Sequence, residues 1–141
     1  MKAKLTAKDL MVGEWVKIKE PNKYAGAIGT IQSISSLEGA YFAIYINDPN
    51  FGTFVTEVFC EDIEPIPLTA EILEKNGFIK HRDIMYRFAV HIDEFNGFMF
   101  TLGRDFDGVF CLQSNRFVRF AYVHELQHAL RLCRVDKEIV L

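Results

Sequence analysis

One segment of the sequence has the residue types and spacing of a catalytic metal site, His124-Glu125-Leu126-Gln127-His128. Residues four apart lie one turn apart on the same face of a helix, so both imidazoles can bind one zinc ion. The glutamate after the first histidine can then act as general base on a metal-bound water. One hypothesis is therefore a zinc-dependent metallopeptidase, with His124 and His128 as ligands and Glu125 as base.

A catalytic zinc site needs a third protein ligand, and the sequence offers none in the usual places. Where the extended motif has its glycine and its last histidine, this chain has Arg131 and Arg134. Only thirteen residues follow His128, too few for the second helix of the other common arrangement. His81 or His91 would have to complete the site from upstream. We therefore favour the interpretation that the motif is a polar strip on a structural helix, with no catalytic residue and no metal ligand.

The elements that would position this motif are predicted from local patterns in residues 65–141. Apolar residues at helical spacing predict a helix over residues 119–134 with one buried stripe: Val123, Leu126, Leu130 and Cys133. A short helix is predicted from Ala70 to Lys75, between an N-cap at Thr69 and a stop at Asn76-Gly77.

Three strand-like stretches lie between these two helices, at residues 86–92, 98–102 and 109–112. Residues 94–97 and 104–108 connect them and have the composition of hairpin turns. The tail from Lys137 is typical of an edge strand. These patterns predict a small α+β unit with antiparallel strands.

The first half of the chain predicts strands and no helix. Four stretches have the alternation or the β-branched and aromatic content of strands: residues 15–19, 30–34, 41–46 and 54–59. Four or five short strands separated by turn residues predict a small antiparallel barrel. Pro65 and Pro67 restrict the backbone after it. We therefore predict an α+β protein with a barrel at residues 1–64 and the α+β unit at residues 65–141.

Residues 13–18 and 26–34 resemble the KOW motif of small Src-homology-3-like barrels, in which a glycine-bearing turn joins two strands. The resemblance implies contacts with RNA or with proteins. Residues 1–66 contain six lysines, no arginine and nine acidic residues. This net negative charge disfavours binding to the phosphate backbone of a nucleic acid. Tyr24, Phe51 and Phe54 would form a protein-contact face or, on the interpretation that we favour, pack across the barrel.

Composition narrows the class of protein further. The chain has a formal charge of −3, and nine of its 13 phenylalanines lie from residue 78 onward, which predicts an aromatic core for the second unit. Its three cysteines form no CxxC pair and indicate reduced thiols. We find no signal peptide, and no apolar run approaches the ~20 residues that span a bilayer. These features predict a soluble, cytoplasmic protein without a membrane partner and disfavour a nucleic-acid partner.

Three stretches together resemble a family of small proteins common in Bacteroidetes genomes and their prophages: residues 9–16, residues 62–78 and residues 122–127. In that family the position of His128 is often Asn and that of Glu125 can be Gln, which implies that the HExxH pattern here is a variant of a structural helix. The resemblance implies an architecture rather than a mechanism. Our leading prediction is a non-enzymatic accessory protein that contacts a protein partner or its own copies. The zinc peptidase and an RNA-contacting barrel are the alternatives.

Overall fold

The strands predicted for the first half form one antiparallel sheet in a computed structural model of the chain. The model describes residues 9–35, 41–81, 85–91, 97–105 and 108–141, without the side chains of Val90, His91 and Phe98. The chain divides into two compact units, Met1–Ile66 (unit 1) and Pro67–Leu141 (unit 2). No described helix is long and apolar enough to cross a membrane.

Unit 1 is built on five antiparallel strands in the order β4-β3-β2-β1-β5. They are β1 (Trp15–Ile18), β2 (Ile28–Ser35), β3 (Tyr41–Asp48), β4 (Gly52–Phe59) and β5 (Ile63–Glu64). A 3-10 turn at Cys60–Asp62 leads from β4 to β5. Strand β1 pairs with β2 on one side and with β5 on the other, and the sheet curls into a half-barrel. The prediction of an antiparallel β unit is confirmed.

Strict alternation along β3 separates the core of unit 1 from its outer surface. Phe42, Ile44 and Ile46 are fully buried, while Tyr41 and Tyr45 lie on the opposite face. This follows from the pleat of a strand, which sends successive side chains to opposite sides of the sheet. These three apolar residues stand at every second position of β3, and together they form part of the face of the sheet that packs in the core.

The aromatic residues of the predicted barrel surface pack against this core. Tyr24, Phe51 and Phe54 are partly buried on it, and the ring centroids of Tyr24 and Phe54 are 4.7 Å apart. Tyr24 also meets Phe51 edge to face, with centroids 6.3 Å apart. Of the two interpretations from the sequence, packing within the unit is the one that the structure shows.

A β-bulge in β2 decides which of its side chains face outward. The register shifts between Ile31, which lies opposite Ile44, and Ser33, which lies opposite Ala43. One extra residue in a strand reverses the alternation beyond it. Ile31 is therefore buried, whereas Ser33, only two residues later, joins Ala43 on the outer surface.

Unit 2 contains two helices and a second five-stranded antiparallel sheet in the order β10-β9-β8-β7-β6. The strands are β6 (Ile79–His81), β7 (Met85–His91), β8 (Gly97–Arg104), β9 (Phe110–Leu112) and β10 (Arg119–Phe120). The helices are α1 (Ala70–Lys75) and α2 (Val123–Leu132). The overall class is mixed α+β, as predicted.

Helix α1 begins and ends where the sequence predicts. The Thr69 hydroxyl accepts a hydrogen bond from the backbone N–H of Ile72 at 3.2 Å, as an N-cap does. Gly77 takes a φ of +87°, a left-handed conformation that glycine adopts without a Cβ penalty. Short-range chemistry marks both ends of this helix.

The predicted helix over residues 119–134 is shorter in the structure. Arg119 and Phe120 pair with β9 instead, so α2 begins at Val123 and ends at Leu132. Val123, Leu126 and Leu130 do form the buried stripe. Cys133 lies beyond the last turn and is exposed, so its predicted place in the stripe is wrong.

The C-terminal tail forms no strand within the described residues, contrary to prediction. It is held instead by the buried side chain of Asn76 at the end of α1. The Asn76 amide donates to the carbonyl of Val140 at 2.7 Å, and its oxygen accepts from the N–H of Val140 at 2.8 Å. One asparagine thus supplies the pairing that a neighbouring strand would otherwise provide.

Aromatic rings fill much of the interior of unit 2, as the distribution of phenylalanine predicts. Five are almost fully buried: Phe78, Tyr86, Phe100, Phe110 and Phe120. The centroids of Phe78 and Phe88 are 5.3 Å apart, and those of Tyr86 and Phe110 are 5.6 Å apart at nearly right angles. Such pairs favour offset or edge-to-face contacts.

Of the predicted hairpin turns, one is partly visible in the structure. The N–H of Gly108 donates to the carbonyl of Asp105 at 3.0 Å, and Gly108 has a φ of +78°. Residues 106–107 within this turn, and residues 94–96 of the other, lie outside the described residues.

Candidate functional site

Helix α2 carries the whole HExxH pattern and presents its residues to different surroundings. His124 and Gln127 lie on the buried side with Leu126, while Glu125 and His128 are half-buried. The His124 ring stacks on the ring of Tyr122, with centroids 5.9 Å apart and planes inclined by 10°. The first histidine of the pattern is therefore also a packing residue.

Glu125 has a structural role at the start of this helix. Its Oε1 atom accepts hydrogen bonds from the backbone N–H groups of Ala121 and Tyr122, each at 3.0 Å. Those N–H groups precede the first turn, where no helical carbonyl can reach them. A glutamate at the third helical position that reaches back in this way forms half of a capping box. This contact also explains why the helix begins at Val123.

The described donors do not assemble a zinc site around the two histidines. Across residues 9–35, 41–81, 85–91, 97–105 and 108–141, no three His, Cys, Asp or Glu side chains cluster closely enough to hold a metal. His81, one proposed third ligand, lies on β6, and the side chain of His91 is outside the described residues. Zinc binding by His124 and His128 stays an alternative hypothesis.

Replacing Glu125 tests whether its carboxylate acts mainly as a cap. We expect Glu125→Ala to lower the free energy of unfolding of unit 2 by about 1 kcal/mol, because two backbone donors lose their acceptor. Glu125→Gln should lower the free energy of unfolding by less, since the amide oxygen of glutamine can still accept hydrogen bonds from these N–H groups. The measurement is urea denaturation followed by far-UV circular dichroism.

Glu138→Ala is the matched control, because Glu138 is exposed in the tail and makes no described hydrogen bond. Equal stability of all these variants, together with a zinc-dependent peptide hydrolysis that Glu125→Gln abolishes, would contradict the capping role and support the peptidase.

A second candidate site lies on the surface of unit 1 that points away from its core. We call this surface the outer face and define it by eight residues of β2, β3 and β4: Ser33, Ser35, Tyr41, Ala43, Tyr45, Val55, Glu57 and Phe59. The strand register brings them together in three rows, Tyr41 opposite Phe59, Ala43 opposite Glu57, and Tyr45 opposite Val55. Ser35 and Ser33 extend the first two rows onto β2.

Apolar surface is concentrated in the two end rows of the outer face. Val55 is 57% exposed, Phe59 is 46% exposed and Tyr45 is 38% exposed. The rings of Tyr41 and Phe59 lie with centroids 4.6 Å apart. These exposed side chains, which we call the apolar patch, lie on both sides of the middle row and lose contact with water when a partner covers them.

A depression of about 300 Å³, which we call the Glu57 cleft, lies along the first and middle rows of the outer face. It is lined by Ser33, Ser35, Tyr41, Ala43 and Glu57. Within the described part of the chain, the Glu57 carboxylate forms no ion pair and no hydrogen bond. The cleft thus combines an aromatic ring, two hydroxyls and an available carboxylate.

No family model, curated protein or solved structure matches this chain. Its function is therefore inferred from its own surfaces. In the helix with the HExxH pattern, His124 packs against Tyr122 and Glu125 caps the first turn. The outer face has both exposed apolar side chains and an available carboxylate.

Sequence reasoning did not identify the outer face. Residues 41–46 read as a continuous apolar run, which leaves open which side chains are inside. The bulge that turns Ser33 outward leaves no mark in the sequence either. The one available signal is the isolated Glu57 between Val55 and Phe59, three alternate positions that share one face of a strand.

Proposed function

We propose that this chain is a non-enzymatic accessory protein that binds a protein partner through the outer face of unit 1. The observation that carries the proposal is the exposed apolar patch of Tyr45, Val55 and Phe59 on and beside the last strand of a sheet. Burial of such side chains contributes about 25 cal/mol per Å² of apolar area removed from water. A partner that covers the patch gains that free energy.

The position of β4 at the sheet edge strengthens this proposal. Strand β4 is eight residues long and pairs only with β3 among the described strands. Natural proteins usually protect such an edge with a short strand, a proline, a bulge or charged side chains. Of these, β4 has one charged side chain, Glu57. The edge therefore retains backbone groups that an added strand can pair with.

A KOW-like, Src-homology-3-like identity for unit 1 is part of the same proposal. It is supported by the curled sheet in which β1 pairs with both β2 and β5, and by Gly26, whose φ of +95° precedes β2. The acidic balance of residues 1–66 favours a protein partner over RNA. Membership of the Bacteroidetes family and a cytoplasmic location stay predictions.

Photocrosslinking of the full chain tests the proposal. With p-benzoylphenylalanine at position 59 or 55, we expect a crosslink to one protein of the source cell. That protein, once purified, should bind wild type at least about tenfold more tightly than Val55→Glu, because a charge in the middle of an apolar contact is costly to desolvate.

Phe117→Ser is the matched control, because Phe117 is 97% exposed but belongs to unit 2. Equal affinity of wild type and Val55→Glu for the crosslinked protein would overturn the proposal. Stoichiometric zinc that is lost in His124→Ala and His128→Ala would instead support the peptidase. Retention on RNA at physiological salt would support the RNA-contacting module.

A further inference from the structure

We propose that the Glu57 cleft binds an arginine side chain carried by an extended segment of the partner. This inference rests on the proposed function and specifies the chemistry of what the outer face recognises. It is carried by the geometry of Glu57, Tyr41 and Ala43 on neighbouring strands.

The available carboxylate indicates that the ligand is positively charged. Glu57 is exposed, and it has no cationic partner among the described residues. It lies between two apolar rows, so a partner that covers the patch removes water from around the carboxylate. A carboxylate that loses its water needs a cation or hydrogen-bond donors in return. A neutral apolar segment would leave that requirement unmet.

The other walls of the cleft select a planar cation over a compact one. The Tyr41 ring offers a face on which a guanidinium can stack, and the Glu57 carboxylate can accept two parallel N–H bonds from it. A lysine ammonium satisfies the carboxylate but neither stacks nor forms the paired bonds. The small side chain of Ala43 leaves the space that the guanidinium enters.

Strand β4 determines that this arginine belongs to an extended segment. An added strand pairs with the edge of β4, and alternate side chains of that segment then point toward the outer face. Val55 and Phe59 lie two residues on either side of Glu57, so apolar residues that flank the arginine at the same spacing meet the two apolar rows. The expected partner sequence is therefore apolar-x-Arg-x-apolar. Unit 1 contains no arginine that could occupy the cleft itself.

A peptide titration followed by NMR tests this recognition. The full chain, labelled with nitrogen-15, is titrated with Ac-Val-Thr-Arg-Thr-Val-NH2 and with the same peptide in which citrulline replaces arginine. Citrulline keeps the shape and loses the charge. We expect shift changes at the amides of Ala43, Val55 and Glu57 with the arginine peptide, and binding about tenfold weaker with citrulline. A third peptide, with lysine in place of arginine, should bind with an affinity between those of the other two.

Glu57→Gln should reduce the affinity for the arginine peptide to that of the citrulline peptide. Glu61→Gln is the matched control, because Glu61 is exposed in unit 1 but does not line the cleft. The inference is overturned if arginine and citrulline peptides bind equally, if neither binds at millimolar concentration, or if both substitutions act alike.

Failure of this inference can be distinguished from failure of the proposed function. If Glu57→Gln keeps full affinity for the crosslinked partner while Val55→Glu loses it, the outer face binds the partner but does not do so through an arginine in the cleft. If Val55→Glu keeps full affinity, the interaction face itself is wrong.

Discussion

Replacing Gly29 by alanine is expected to destabilise unit 1 by about 3 kcal/mol, the upper range for overpacking a well-filled core. Gly29 is buried in β2, between Val16 of β1 and Ile46 of β3. A Cβ at this position would lie 2.5 Å from the Cγ2 atom of Ile44 and 2.5 Å from the carbonyl oxygen of Tyr45. The second of these is backbone, so it cannot move without opening the pairing of β2 with β3.

The measurement for Gly29→Ala is urea denaturation followed by the fluorescence of Trp15, the only tryptophan of the chain and a residue of β1. Gly26→Ala is the control, because Gly26 has a φ of +95° but no atom within 4 Å of an added Cβ. Gly26→Ala should lower the free energy of unfolding by only roughly 1–2 kcal/mol, the cost of an L residue in a left-handed conformation. A Gly29→Ala variant as stable as wild type would show that β2 and β3 do not approach as closely as described.

Leu126→Ala is expected to cost about 3 kcal/mol in unit 2 and to weaken α2 as a whole. Leu126 lies inside the HExxH pattern and is completely buried. Truncation of a buried leucine loses the transfer free energy of the removed atoms and leaves a cavity, with a total of ~2–5 kcal/mol.

Hydrogen exchange of the α2 amides, measured by mass spectrometry, checks the effect of Leu126→Ala. Leu132→Ala is a matched control in the same helix, because Leu132 is 79% exposed. A substitution at an exposed site normally changes stability by less than about 0.5 kcal/mol. Similar exchange in both variants would mean that α2 is held by contacts other than its buried stripe.

The first helix and the strands of unit 1 were predictable because their signals are local. Thr69 and Gly77 sit at the two ends of α1, and each acts through atoms within a few residues of its own position. The strands of unit 1 are marked by β-branched and aromatic residues between turn residues. Effects of such short range depend only on neighbouring residues, so they can be recognised in the sequence.

The errors in unit 2 have a different origin. Arg119 and Phe120 continue a helical pattern, yet they pair with β9, a strand that lies several residues earlier in the chain. This strand pairing overrides the helical pattern, and the pattern does not contain it. The cap is a second contact that the pattern does not show: the Glu125 carboxylate accepts hydrogen bonds from the N–H groups of Ala121 and Tyr122.

The sequence by itself determined the α+β class, the two ends of α1, three of the four residues predicted for the buried stripe of α2 and the acidic balance of unit 1. Only the tertiary structure decided which side of each strand faces water. One bulge between Ile31 and Ser33 turns a serine outward, and the pairing of Ala43 with Glu57 places a carboxylate between two apolar rows. Strand register depends on partners distant in sequence, because a shift of one residue exchanges the two faces of a sheet.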